Sequence, residues 1–330
     1  MLIFVVFSGC SESEDKKEIS IKKSDNITIS GRVVDGYIRN AFACVDINNN
    51  NECDGEEPFV KTDDNGAYAI ELPSDVDLSS ARVLVSGGVD NSTGQPFVAI
   101  LKAPLSGNFE EDIFVTPLTT VVVARVDSTQ AKQVQSKRVM RLNDKSVIDT
   151  AMQEVADSFG LKSEDIFKDP IAEKNAELLS VTLQVQKTIE VLAEVEQQKS
   201  ETDRTQATQR VMLAFASQID GSKRSFASFL DDAILSDEIQ QKIAVSNTTE
   251  LAALLAEKVA LLIESNSGLN LDESTINDIS GMSQIMQDEA EHLINNHGSQ
   301  MYLENSSMDM QSMNEKFDIP ILNQTTTEPS

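Results

Sequence analysis

The sequence predicts an α+β chain of more than one domain, with an N-terminal antiparallel β-sandwich followed by an α-helical bundle. Three observations carry this. The chain has 330 residues, a length that suits two domains of ordinary size. Across 28–115, short apolar runs are bounded by Gly, Pro, Asn or Asp and recur at intervals of roughly 8–15 residues, the spacing of small sandwiches. From Thr116-Pro117 onward Pro and Gly become scarce and long helical periodicities take over.

Taken in order, Ile27–Val34 alternates apolar and polar side chains and ends at the turn pair Asp35-Gly36. Further strand-like runs are Ala41–Asp46, Phe59–Thr62, Ala67–Leu72, Arg82–Ser86 and Phe97–Lys102. Asp63-Asp64-Asn65-Gly66 reads as a hairpin turn, and Asp90–Gly94 as a polar turn. Thr116-Pro117 is a helix start, a hydroxyl cap followed by Pro at the first helical position. Leu178, Val181, Val185, Ile189 and Leu192 make one helix face, which Asp169-Pro170 is expected to open. Asn247 and Glu250 form a capping-box pattern before Leu251, Leu254, Leu255, Val259 and Leu262. Shorter helices are expected over 147–159, 204–218, 224–235 and 283–296. Glu190, Glu194 and Glu196 read as a solvated acidic face. The layout is therefore a β domain at 28–115, a helical domain at 116–298 and a disordered tail at 299–330. In that tail Met301, Met308, Met310 and Met313 form the alternative, a Met-rich contact segment.

The segment with chemical content is Asp46–Glu57. Counting Asp46 as position one, oxygen-bearing side chains fall at positions 1, 3, 5, 9 and 12: Asp46, Asn48, Asn50, Asp54 and Glu57. Glu52, at position seven, offers its backbone carbonyl. These are the ligand offsets of an EF-hand-like calcium loop. A hard cation takes about six to eight oxygens, and alternate residues of a tight loop can aim inward while the final Glu closes the shell. Position six usually holds Gly because the chain turns there with positive φ. Here it is Asn51, the next most tolerant residue.

No helical pattern flanks the loop. Val33-Val34-Asp35-Gly36-Tyr37, then Asp46 to Asn50, Glu57-Pro58 and Asp64-Asn65-Gly66 with Tyr68 resemble the B-type repeats of bacterial surface adhesins. They are similar also to the related carboxypeptidase-regulatory-like, transthyretin-like sandwiches. The resemblance implies a sandwich over about 28–115 with Ca2+ bound between its second and third strands. From Gly36-Tyr37 through Thr116–Thr120 to Asp169–Ala172 the chain is also similar to exported proteins of marine-type bacteria, in which such a sandwich precedes a helical region. That implies architecture and export and supplies no activity.

At the N-terminus, Met1–Phe7 is apolar and Phe7-Ser8-Gly9-Cys10 resembles the lipobox of bacterial lipoproteins. The resemblance implies that Cys10 carries lipid, with 1–10 as signal segment and 11–27 as a polar tether. The apolar run is shorter than a working signal peptide, so its true start is expected upstream. Ser11, after the cysteine, implies sorting to the outer membrane. With Cys10 lipidated, Cys44 and Cys53 are left to pair, as an oxidising compartment permits. Two reduced buried thiols are the alternative.

The chain carries 54 Asp plus Glu against 27 Lys plus Arg, a net charge of −27. A polyanion is repelled by nucleic acid and by anionic membrane surfaces. There are two His, His292 and His297, and no Trp. No nucleophile elbow, phosphate loop or zinc spacing is present, so no catalytic residue is nominated. The expected function is a non-enzymatic, lipid-anchored binding or structural module of the cell envelope, held by Ca2+ and one disulfide, with a protein or glycan partner at the cell surface. The alternative is an accessory carbohydrate-binding or secretion-system subunit at the outer membrane. Glycan binding calls for exposed aromatics, and Tyr37, Tyr68, Phe59 and Phe97 are the ones to hand.

Overall fold

A computed structural model describes residues 26–105, 111–134, 145–200, 202–243 and 248–295. N-terminal β sheets are followed, among these residues, by eight α-helices. Cys10, residues 11–25 of the expected tether, Asn247 and the Met-rich tail lie outside the described residues, while Asn26 and Ile27, expected as the end of the tether, belong to the first strand.

Alternation sets the first strand. In β1 (Asn26–Val33) Ile29, Gly31 and Val33 turn inward, and in β5 (Ala67–Pro73) Tyr68, Ile70 and Leu72 do the same. These two strands pair antiparallel. With β9 (Ile113–Val115) they make a sheet of order β5-β1-β9. A second, four-stranded sheet has the order β4-β3-β6-β8, from Phe59–Lys61, Phe42–Asp46, Arg82–Ser86 and Ile100–Pro104. A short ladder joins β2 (Ile38–Arg39) to β7 (Val89–Asp90). Ile29, Ile70, Val45, Val83 and Leu101 belong to one buried cluster, so both larger sheets feed a single core.

Antiparallel pairing is expected throughout, and one ladder departs from it: β9 runs parallel to β1. Gly31 permits the approach, because a Cβ there would lie 1.9 Å from the Ile113 carbonyl oxygen. The Tyr68 hydroxyl donates to that same oxygen at 2.6 Å. A three-residue strand shows no period, which is why the sequence does not reveal it. The Phe97–Lys102 run is also displaced. The strand is Ile100–Pro104, while Phe97 leaves the ladder and donates its amide to Gly88.

The helical region begins against the sheet. Thr116 and Thr119 cap α1 (Pro117–Val134) reciprocally, each backbone amide donating to the other's hydroxyl at 2.9 and 3.1 Å. The Thr119 hydroxyl donates to the Lys102 carbonyl and Thr120 accepts the Lys102 amide, so the first turn is stitched to β8. Two turns further along α1, Arg82 of β6 forks onto both oxygens of Asp127. Arg82 is 3% exposed, and a buried guanidinium needs such a partner.

Helices α2 (Lys145–Phe159), α4 (Arg204–Ser217) and α5 (Phe226–Leu235) bury Phe159, Phe215, Phe226 and Phe229 against one another. Asp203 and Ser225 cap α4 and α5 by accepting the amides of Gln206 and Ser228. The remaining helices are α3 (Ala176–Ser200), α6 (Asp237–Ile243), α7 (Thr248–Asn266) and α8 (Glu273–Asn295). Helix α6 was not anticipated, and α8 starts well before 283, where Asp272 accepts the Thr275 amide.

Two expectations about α3 are corrected. Asp169-Pro170 does not open it. Asp169 holds a single turn through the amides of Ile171 and Ala172, and the chain leaves helical geometry at Lys174, φ +53°. Asn175 then caps α3 by accepting the Leu178 amide. Nor do Glu190, Glu194 and Glu196 form a solvated face. Helix α3 packs among α1, α4, α6, α7 and α8. The three glutamates pair with Lys187, Arg204 and Arg210, and Glu190 and Glu196 are buried.

Near α3, Asp35 is 3% exposed and its Oδ1 has no partner. Burial pushes its carboxyl well above the usual carboxylate range. Asp90 and Glu190 push the same way, and Lys187 opposes them. A raised folded-state pKa gives stability that is full below the ordinary value near pH 4 and lost as pH rises through the folded value. Asp35→Asn removes that titration. The unfolding free energy of the variant, and with it the melting temperature, should therefore gain on the wild type as pH is raised from 5 to 8, the free energy with a limiting slope of about 1.4 kcal/mol per pH unit. Parallel melting curves across that range would refute it.

Candidate functional site

Strand β3 turns Ala43 and Val45 into the core and Phe42, Cys44 and Asp46 to the opposite face of the sheet. On that face Asp46 stands across from Arg82, Cys44 from Leu84 and Phe59, and Phe42 from Lys61. The chain leaves β3 at Asp46, loops over this face and returns at β4. A disulfide between Cys44 and Cys53 ties the loop to the strand.

Within the loop the oxygen-bearing residues are drawn together by local bonds. The buried Asp46 carboxylate accepts the amides of Asn50 at 3.1 Å and Asn51 at 2.9 Å. Glu57 reaches back across the loop. Its Oε1 accepts the Ile47 amide at 2.6 Å, and its Oε2 the Asp54 amide at 3.3 Å. The side-chain amides of Asn48 and Asn50 both donate to Asp54 Oδ2 at 2.9 Å. Their own oxygens take the amides of Asn50 and Glu52 in successive Asx turns. Asn51, at the position where Gly is usual, has φ +67°.

This donor set of three carboxylates, two carboxamides and backbone carbonyls is all oxygen, which suits a hard divalent cation and not zinc. Residue type, spacing and the left-handed turn at Asn51 fit Ca2+. The side-chain directions fit less closely. Among the described residues no three His, Cys, Asp or Glu groups gather as a ligand cluster. Asp46 and Glu57 serve backbone amides, and the Asn48 and Asn50 amide nitrogens, not their oxygens, face Asp54. An ion in this loop requires those two carboxamides to turn over.

Beneath the loop lies Lys102 of β8, whose ammonium donates to the Asn51 side-chain oxygen. Burial, with Arg82 adding to it, lowers its pKa to about 8, while Asp127 and Asp46 pull it back up. Beside the loop opens a cavity of about 990 Å3. Its walls are the loop from Asn50 to Gly55, the sheet face with Phe42 and Phe59, and the first turns of α4. Phe42 and Phe59 are 43% and 58% exposed, with ring centres 6.2 Å apart, and the Lys61 ammonium lies 4.8 Å over the Phe42 ring.

No family model, curated protein or solved structure matches this chain.

Of the aromatics expected at a glycan surface, Phe59 lines the cavity in the open. Tyr68 and Phe97 are both buried, Phe97 as part of the cavity wall. Tyr37 is held by Arg32 and Asp169 at the foot of α3. Sequence reasoning missed Phe42, Lys102, Arg82 and the α4 wall. Phe42 was within reach, since a period of two from Cys44 and Asp46 puts it on the same face. The others come from distant segments and carry no local signal.

Proposed function

We propose that the chain is an exported, non-enzymatic binding or structural module of the cell envelope, anchored by lipid at Cys10 and stabilised by Ca2+ in the Asp46–Glu57 loop. In this reading the two larger sheets form a sandwich of the adhesin B-type or transthyretin-like kind. The observation that carries it is the loop itself. Oxygen donors stand at the required offsets, Asn51 takes the positive φ of position six, and the Cys44–Cys53 bridge pins the loop to its strand. A disulfide fits an oxidising compartment, which supports export. Among the described residues no helix is long and apolar enough to cross a membrane, and attachment through Cys10 does not call for one.

Ca2+ would be held by the side chains of Asp46, Asn48, Asn50, Asp54 and Glu57 with the Glu52 carbonyl. It would supply charge neutralisation and rigidity to one wall of the cavity. Binding to the folded state alone raises stability by mass action. Calorimetric titration with Ca2+ should give a saturable heat with one site per chain. Melting of the β domain should rise by about 4–8 °C for each kcal/mol of binding, the scaling for a domain of that size. Asp46→Asn and Glu57→Gln should abolish both effects. The absence of a heat, together with an unchanged melt on chelation, would remove calcium from the reading.

A further inference from the structure

We propose that the cavity between the loop, the outer sheet face and α4 binds a neutral oligosaccharide. The proposal rests on the envelope reading for access to polysaccharide, but not on calcium.

The volume, about 990 Å3, lies at the upper end of the roughly 300–1,000 Å3 typical of small-molecule sites, so it has room for several linked rings. Charge narrows the class. Glu52, Asp54 and Asp203 line the cavity, and no Lys, Arg or His does. A phosphorylated or uronic ligand would be repelled by those three carboxylates, and the Lys61 ammonium over the Phe42 ring offsets only part of that charge. Polarity narrows it further, since polar and apolar side chains line the space in about equal number. An acyl chain or an apolar helix face would strand those polar groups without partners.

Two features then favour sugar. The Phe59 ring is more than half exposed at the cavity wall beside the disulfide, an apolar plate of the kind on which the C–H face of a pyranose can lie. Gln206 and Gln209 of α4 also line the space, with side-chain amides that bond no other described residue. A carboxamide both donates and accepts, and so does a hydroxyl. A row of hydroxyls can satisfy these amides and the neighbouring carboxylates together. A lysine-rich peptide carries donor-only ammonium groups and a single backbone carbonyl acceptor per residue, against several hydroxyls on each sugar ring. It would satisfy Glu52 and Asp203 but offers fewer acceptors for the amide N–H groups than a row of hydroxyls does.

The test uses the whole chain in calorimetric titrations, with and without Ca2+. The probes are cellohexaose, laminarihexaose and mannohexaose as neutral sugars, a hexagalacturonate as acidic sugar and a hexalysine peptide. At least one neutral sugar should bind, with an affinity that does not change when salt is raised. Phe59→Ala should weaken it about tenfold, the loss expected for one ring face no longer covered, and Gln206→Ala should weaken it while leaving the melt unchanged. Both positions are exposed, so neither substitution threatens folding. The proposal is overturned if no neutral sugar binds, if only hexalysine or hexagalacturonate binds, or if binding ignores both substitutions. Sugar binding that persists without any calcium heat would sink the calcium loop alone. A calcium heat with no sugar binding would sink the cavity assignment alone.

Discussion

Phe229→Ala should lower the unfolding free energy by about 3–5 kcal/mol, the cost of a large cavity in a packed core. Phe229 is fully buried, and its ring centre lies 5.0 Å from both Phe159 and Phe215 and 6.3 Å from Phe226. Removing it takes away the shared partner of three rings from helices α2, α4 and α5 at once. Edge-to-face contacts add about 0.5–1.5 kcal/mol per pair beyond area burial, which places this site at the high end of the range. On its other side Arg224 lies 5.1 Å over the same ring. In a chain without Trp, the change is best followed by circular dichroism of the helices or by calorimetry. Phe59→Ala is the matched control, since that ring is already largely in water and its loss should cost under about 1 kcal/mol. Equal effects at the two positions would mean that the aromatic cluster is not what holds α2, α4 and α5 together.

Removing the disulfide should cost about 2.5–3 kcal/mol, from loop closure across the separation of 9 residues between Cys44 and Cys53. The double variant Cys44→Ala with Cys53→Ala measures this without leaving a free thiol. The bridge sits between β3 and the loop that walls the cavity, so its loss acts twice. It frees the unfolded chain, and it loosens the loop that is proposed to hold Ca2+. Calcium affinity should therefore fall more than a purely global destabilisation would produce, because the loop must be ordered at the moment of binding. Denaturant midpoints that coincide for oxidised protein and double variant would show that the staple contributes nothing.

Much of the fold was legible because it is encoded locally. The inward alternation of Ile29 and Val33, the cap at Thr116 and the Leu178–Leu192 face are all set by neighbours within a few positions. The loop was legible for the same reason, since its donors and its turn residue lie in one short stretch. The parallel ladder of β9 was hidden, because three residues show no period and the decisive feature is the missing side chain of Gly31. The glutamates of α3 misled for a related cause. A charged residue on a helix reads as solvated until the helices around it are known, and here Lys187, Arg204 and Arg210 meet those carboxylates, with Glu190 and Glu196 buried and Glu194 half-buried.

By itself the sequence determined an N-terminal β region followed by helices, the pairing chemistry open to Cys44 and Cys53, and the oxygen-rich stretch Asp46–Glu57 that contains the second of them. Only the tertiary structure decided what that loop faces. Asp46 meets Arg82 through strand register, Asn51 meets Lys102 through the fold of β8, and α4 arrives from far along the chain to make a cavity wall. The physical reason is range. Propensity, capping and alternation act over a few residues, whereas a cavity needs surfaces whose meeting depends on how whole elements pack.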